Sequence, residues 1–289
     1  MNKSALKKMV LGTAQFGSDY GITNVTGKPS RKEIFKILSL AWDRGIRWYD
    51  TAPGYGSEQI LGEFISVNGL QKEINISTKI PQICEYKLYE EIIKKSAENS
   101  IKILGAPLGI LYFHKPEDSN LLLEDIRYFS ELINEFPICT MGVSIYDIVE
   151  RTRLKDVQMD LAFQFPYNLI DRRFEGVEIC QGKRFARSIF LQGVLISNLR
   201  AGNNIPKGLH SFQDKLYAYF EQHNINNLEY AVQFVAHSES IDYFLFGVDN
   251  VAQLEEILSV EIDNYRDIPS IEQLFLDLDK KWIDPRNWS

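Results

Sequence analysis

Eight short apolar runs punctuate this chain, and the segments between most of them carry apolar residues at helical spacing. The runs are MVLGT (9–13), IRWYDT (46–51), INISTKI (74–80), LGILYFH (108–114), TMGVSIY (140–146), MDLAFQF (159–165), KRFARSIFL (183–191) and IDYFLFGV (241–248). Between the first four lie EIFKILSLAWDRG (33–45), opened by Pro29-Ser30 and stopped by Gly45, then EQILGEFIS (58–66) and YEEIIKKSAENSIKIL (89–104); LLLEDIRYFSELINEF (121–136) follows the fourth. Short apolar runs rich in β-branched residues read as buried strands, and the helical recurrence reads as amphipathic helices. Strand-then-helix repetition implies parallel strands with right-handed crossovers. Eight such units in 289 residues predict an α/β fold, a closed (β/α)8 TIM barrel forming one domain over residues 1–289. The rival, an open doubly wound sheet, carries G-x-G-x-x-G at an early strand–helix turn. LGTAQFG after the first run lacks that spacing.

The interval before the eighth run is the longest. It holds the polar loop SNLRAGNNIPKG (197–208) and two helix-like stretches, Leu209–His223 and Asn227–Ser240. In a barrel the βα loops form the catalytic face, so this enlargement, with the segment 193–225 at its centre, predicts either a wall of the substrate pocket or a neutral surface insertion. The tail SIEQLFLDLDKKWIDPRNWS predicts an amphipathic helix followed by two tryptophans that pack back onto the barrel.

Composition removes several function classes. The formal net charge is −7 and the basic residues are scattered, the reverse of a nucleic-acid binder. No apolar stretch is long enough to span a membrane, and the Gly-broken N-terminus does not form a secretory signal, which together predict a cytoplasmic protein. Cys84, Cys139 and Cys180 are odd in number and form no CxxC, so neither a disulfide framework nor a zinc ribbon is expected. The four histidines show no metal-ligand spacing.

Four polar residues stand at or just beyond the carboxyl ends of three successive strands. Asp50 ends IRWYD and Tyr55 lies in the loop after it; Lys79 ends INISTK and His114 ends LGILYFH. Singly, each has a bland account: a helix-capping Asp, a packing Tyr, a solvent-facing Lys, a hydrogen-bonded His. Together, in a parallel barrel, they converge on one face. Tyrosine's reference pKa of about 10 makes it a poor proton donor near neutral pH, and an adjacent ammonium favours the phenolate. Lys79 is that ammonium, Asp50 its counter-ion, and His114 a hydrogen-bond donor or proton carrier for a substrate carbonyl oxygen. Such a set protonates a developing alkoxide; with no G-x-S-x-G nucleophile present, the hydride must come from a cofactor. Two other readings use the same residues: a cofactor-binding sensor subunit on this barrel, and a lyase with Lys79 as Schiff-base amine.

At these positions the sequence resembles the aldo-keto reductase superfamily. DTAPGYGSEQILG (50–62) is similar to its D-T-A-x-x-Y-G-x-E-x-x-x-G segment, STK (77–79) and LYFHKP (111–116) to its lysine and histidine motifs, and GVS (142–144) and QFPYN (164–168) to its nicotinamide-binding strand ends. The resemblance covers about residues 9 to 260. It implies reduction of a small-molecule carbonyl substrate by NADPH or NADH, with Tyr55 as general acid/base and Asp50, Lys79 and His114 as its partners. It further implies that Ser144 and Gln164 bind the nicotinamide carboxamide, that Ser188 lies near the pyrophosphate, and that Glu256 faces the adenine. Three departures stand out. Ile145 replaces a frequent Asn. Arg187 stands where many members stack an aromatic on the nicotinamide, and is either a cationic stack on that ring or a contact to a substrate anion. In FGVDNVAQLEEI, Gly247 and Gln253 occupy positions where NADPH-preferring members carry Lys or Arg, and Asp249 adds negative charge, which implies weak NADPH discrimination, dual use or NADH preference. SIFLQG and DPRNW are similar to a subgroup found beside bacterial surface-sugar synthesis functions, which implies a sugar-derived carbonyl. Only eight residues precede the first strand, so the hairpin that often plugs such barrels is expected to be absent or reduced. Nothing in the sequence fixes the oligomeric state.

Overall fold

The computed structural model describes residues 3–22, 24, 26–177, 182–196, 205–265, 271–275 and 278–288. Eight parallel strands close in sequence order: β1 (Met9–Gly12), β2 (Trp48–Asp50), β3 (Asn75–Ile80), β4 (Leu108–Phe113), β5 (Ile138–Ser144), β6 (Leu161–Pro166), β7 (Arg184–Arg187) and β8 (Tyr243–Phe246), with β8 pairing back onto β1. The helices are α1 (Lys3–Leu6), α2 (Arg31–Asp43), α3 (Glu58–Asn68), α4 (Tyr89–Leu104), α5 (Leu121–Glu124), α6 (Ile126–Glu135), α7 (Ile148–Arg153), α8 (Lys207–Gln222), α9 (Asn227–His237) and α10 (Val251–Ser259). Among the described residues no helix is long and apolar enough to cross a membrane.

Local chemistry sets the helix starts. Ser30 accepts the Glu33 amide at the head of α2, Asn226 the Glu229 amide at α9, and Asn250 the Gln253 amide at α10. At α7, Asp147 and Glu150 complete a capping box. Each relieves a backbone donor that the first helical turn leaves unpaired.

Side chains alternate across the strands, and this period of two builds the two cores. One core lies between strands and helices. The other fills the barrel itself with Val10, Trp48, Ile110, Tyr112, Ala162, Phe185 and Leu245. Two positions further along each of these strands stand Gly12, Asp50, His114, Gln164, Arg187 and Gly247, so the parity that points one residue into the core points the next up into the mouth at the strands' carboxyl ends. At the opposite mouth Phe185 stacks on Tyr243 with ring centres 4.6 Å apart, Trp48 meets both, and Lys183 Nζ lies 5.5 Å from the Trp48 ring. That end is closed from within by these side chains.

Some elements differ from the sequence reading. The run KRFARSIFL forms a strand only over Arg184–Arg187, because Ser188 turns to a left-handed φ of 59°. LLLEDIRYFSELINEF breaks into α5 and α6 at Asp125, whose carboxylate accepts the Tyr128 amide and the Tyr89 hydroxyl. The second helix of the long interval ends at His237 rather than Ser240. In the tail the described residues form 3-10 turns (Ile271–Phe275, Lys280–Ile283, Pro285–Asn287) in place of the expected amphipathic α-helix. Asp279 and Asp284 side chains accept the amides of Lys281 and Arg286, which favours these tight turns over a continuing helix. Cys180 and positions 197–204 of the polar loop lie outside the described residues.

Candidate active site

Asp50 and Lys79 reach the barrel mouth from β2 and β3 and are almost wholly buried, 3% and 1% exposed. Their ion pair is 2.7 Å long. Asp50 also accepts Ser77 Oγ at 2.8 Å and Gln164 Nε2 at 2.9 Å, and Lys79 Nζ donates to the Thr51 carbonyl at 3.0 Å. A buried charge pair is tolerable when both ions are hydrogen-bonded in this way.

Tyr55 is held over the pair by its own loop. Pro53–Tyr55 form a 3-10 turn that ends at Gly56, and Ser57 Oγ bonds both Thr13 Oγ1 (2.8 Å) and Thr51 Oγ1 (3.0 Å). Thr13 Oγ1 donates in turn to the Asp50 carbonyl. Gly17 backs the loop: a Cβ there would collide with the Tyr55 carbonyl, so the close approach needs glycine. Glu58, buried in α3, accepts Thr78 Oγ1 at 2.7 Å and ties that helix to β3. Lys79 Nζ consequently sits 4.8 Å from the Tyr55 ring centre, and the His114 ring stands nearly perpendicular to Tyr55 with centres 6.4 Å apart.

The electrostatics assign charge states. Burial works against the Lys79 ammonium, but Asp50 and then the Tyr55 phenol outweigh it and raise its pKa above the ordinary lysine value. Burial, then the neighbouring Lys79 ammonium, push the His114 imidazole down to about 4. His114 is therefore neutral at physiological pH, with one ring N–H to donate. Its ring resonances are expected to show no titration between pH 5 and 8 in histidine-labelled NMR spectra, and a midpoint near 6.5 would contradict this environment. An unfolded histidine binds its proton near about 6.5. This group therefore contributes nothing to stability above that pH and lowers it as pH falls from about 6.5 to about 4.

From this corner a cleft of about 610 Å3 runs across the barrel mouth to α10. The residues expected to act on substrate or cofactor line it, namely Asp50, Tyr55, Lys79, His114, Ser144, Gln164, Arg187, Ser188, Gly247, Asp249, Gln253 and Glu256, whereas Ile145 is buried in the core behind it. Ser144 pairs with Gln164 across β5 and β6. The Gln164 amide nitrogen is taken by Asp50, which leaves its amide oxygen unengaged among the described residues. The Ser188 carbonyl is held by Asn168 Nδ2 at 3.0 Å. At the far end Gly247 lies against the Gln15 carboxamide, which a Cβ would strike, while Gln253 Oε1 accepts the Asp249 amide and Asn24 Nδ2 donates to Asp249 Oδ1. Arg187 lies across the ring of Tyr146, 4.1 Å from its centre. Gln15, Tyr20, Asn24 and Tyr146 also line the cleft. The sequence reading missed them because no motif marks them; the local signal was that Gln15 and Tyr146 lie just past the ends of β1 and β5, while Tyr20 and Asn24 stand further along the loop after β1. A larger groove, about 1020 Å3, lies between α8, α9 and α10; its described lining includes Asp214, Glu221, Glu229, Glu256 and Glu261 and holds no lysine, arginine, histidine or cysteine.

The aldo/keto reductase family model matches residues 8–267. The chain belongs to the aldo/keto reductase family. Among relatives, the aldo-keto reductase YhdN of Bacillus subtilis is 28% identical over 186 residues, 61% of this chain and 56% of that protein. D-threo-aldose 1-dehydrogenase of a Pseudomonas species is 26% identical over 286 residues, covering 82% of this chain and 86% of the relative. A Pseudomonas aeruginosa protein whose solved structure is described as an aldo-keto reductase superposes with a TM-score of 0.63 at 20% identity, over 89% of this chain and 90% of its own, a likeness of fold. Family membership makes this chain an NAD(P)H-dependent oxidoreductase on a TIM barrel.

Proposed function

We propose that this aldo-keto reductase interconverts an aldehyde or ketone with its alcohol, that Tyr55 is the proton donor, and that the natural substrate is sugar-derived. The observation that carries the reading is the buried Lys79–Asp50 pair beneath Tyr55, with neutral His114 beside it, at one end of a cleft that continues to α10. A nicotinamide dinucleotide fits that cleft: the unengaged Gln164 amide oxygen and Ser144 hydroxyl suit a carboxamide, and Gly247 with the Gln15 carboxamide against it lines the other end. When bound, the cofactor supplies or takes the hydride. In the reducing direction the Tyr55 phenol gives its proton to the developing alkoxide, and the Lys79 ammonium stabilises the phenolate left behind. Asp50 fixes that ammonium, and the His114 N–H orients the carbonyl oxygen. The sugar class is supported by the aldose dehydrogenase named among the relatives. The exposed free thiols of Cys84 and Cys139 agree with a cytoplasmic setting.

Lys79 is poorly suited to Schiff-base chemistry. Its ammonium is buried, doubly hydrogen-bonded and harder to deprotonate than an ordinary lysine, whereas an amine nucleophile must be neutral.

For the cofactor, the basic residues lining the cleft are Lys79 and Arg187; at the α10 end stand Gly247, Asp249, Gln253 and Glu256. Among the described residues that line the cleft, none at that end offers a guanidinium or ammonium to a 2′-phosphate, so we infer dual use or NADH preference. Fluorescence titration with both cofactors, followed by turnover of a panel of aldehydes and keto-sugars, tests the reading. NADPH is expected to bind no more than about tenfold tighter than NADH. Binding of neither cofactor overturns the reductase assignment, and binding without any turnover favours the sensor alternative.

A further inference from the structure

Among the described residues, the cleft holds one cation outside the Asp50–Lys79 pair. Arg187 ends β7 with the parity that points it into the barrel mouth, and its guanidinium lines the same cleft as Tyr55 and His114. Among the described residues its guanidinium makes one hydrogen bond, from Nη2 to the Ile145 carbonyl at 3.3 Å, and forms no ion pair. The other two arginines that touch Tyr146 are neutralised: Arg173, which donates to the Tyr146 carbonyl, pairs with Asp171 at 2.7 Å, and Arg286 pairs with Asp284 at 2.5 Å.

Arg187 is also held rigidly. Its Cζ lies 4.1 Å from the Tyr146 ring centre, and Arg286 Cζ lies 3.3 Å from the same centre. Both guanidiniums contact the one ring, so the tail reaches the cleft wall through Tyr146. At this end of the cleft Asp50 is spent on Lys79, which leaves a net positive charge at Arg187. The His114 proton affinity registers that charge, which puts Arg187 in electrostatic contact with the catalytic corner.

We propose that Arg187 recognises an oxyanion on the substrate, a carboxylate or phosphate carried on the same molecule as the reacting carbonyl. A planar guanidinium fixed on one face, with most of its five N–H donors unengaged, matches either group in a bidentate way. The substrate class becomes an acidic aldehyde or ketone, such as a sugar acid or sugar phosphate. This rests on the reductase reading above.

The test uses the full chain with whichever nicotinamide cofactor binds, and two matched pairs: 4-oxobutanoate against butanal, and glyceraldehyde 3-phosphate against glyceraldehyde. The anionic member of at least one pair is expected to show kcat/KM higher by about tenfold to a hundredfold, and the pair that does so names the oxyanion. Arg187→Met should shrink that ratio to within about threefold, and Arg187→Lys should keep part of it. Equal kcat/KM within both pairs in the unmodified protein overturns the proposal without recourse to any variant. An Arg187→Met protein that keeps the full ratio, or that loses cofactor affinity with the ratio unchanged, overturns it too, the latter assigning Arg187 to the nicotinamide. If the cofactor binds and neutral aldehydes turn over without preference, only the oxyanion fails; if no cofactor binds, the reductase reading fails and takes this one with it.

Discussion

Replacement of Tyr55 by phenylalanine is expected to lower kcat by about 10²- to 10⁴-fold, the range that a positioned general acid contributes. The dissociation constant of the nicotinamide cofactor should stay within about threefold of its original value, because the change removes one oxygen and leaves the ring. The hydroxyl interacts with the Lys79 ammonium, but ring and backbone contacts also place Tyr55: that ammonium 4.8 Å from the ring centre, the His114 ring standing across it, and the backbone packed on Gly17. The variant therefore keeps the shape of the corner and loses the proton. Rate measurements under single-turnover conditions with cofactor fluorescence read both quantities. A phenylalanine variant that turns over normally would remove Tyr55 from the chemistry. One that fails to bind cofactor would make its role structural.

The second large effect concerns stability. Lys79→Met leaves Asp50 ionised at 3% exposure with only the Ser77 and Gln164 donors, and should cost about 3–5 kcal/mol, as when one partner of a buried pair is removed. Asp50→Asn should cost a comparable amount, since the ammonium keeps the Thr51 carbonyl as its remaining strong acceptor. The double variant should cost clearly less than the two single costs combined, because neither ion is left stranded. Urea unfolding of the four proteins closes this cycle. Additive losses would mean that the two groups act through separate surroundings rather than through each other.

The strand-end residues were legible because two periodicities agree. Alternation along a strand fixes which residues face the barrel interior, and a closed parallel barrel brings all carboxyl ends to one mouth, so Asp50, Lys79, His114 and Arg187 meet despite their separation in the chain. The same logic fails wherever a single side chain decides the backbone. Nothing apolar in SIFL distinguishes a strand from the left-handed turn that Ser188, Leu191 and Gln192 adopt, and that turn ends β7 after four residues. Asp125 sits inside a good helical pattern, yet its side chain takes the Tyr128 amide and Tyr89 hydroxyl, partners placed by the tertiary fold. The tail reads as amphipathic because its apolar residues do face the barrel, but Asp279 and Asp284 capture nearby amides and tighten it into 3-10 turns. Tyr146 was invisible as a cleft residue for a related reason. Its position depends on Arg286, nearly the whole remaining chain away, and no local pattern encodes that contact.

The contacts on Tyr146 tie the cleft wall at Arg187 to the tail, whereas the Asp50 corner is held from the strands. Groups on β2, β3 and β6 are locked to one another by hydrogen bonds that meet at Asp50, and the His114 ring past β4 stands against Tyr55, so a change at Asp50 disturbs the whole corner. The wall behind Arg187 is instead braced from the tail, where Trp282 packs against Gly208 of α8 and Trp288 donates to the Trp282 carbonyl. Substitutions in residues 278–288 can reshape what the mouth admits while the reaction centre keeps its geometry. For an engineer, this tail is the dial for selectivity, separate from the motor.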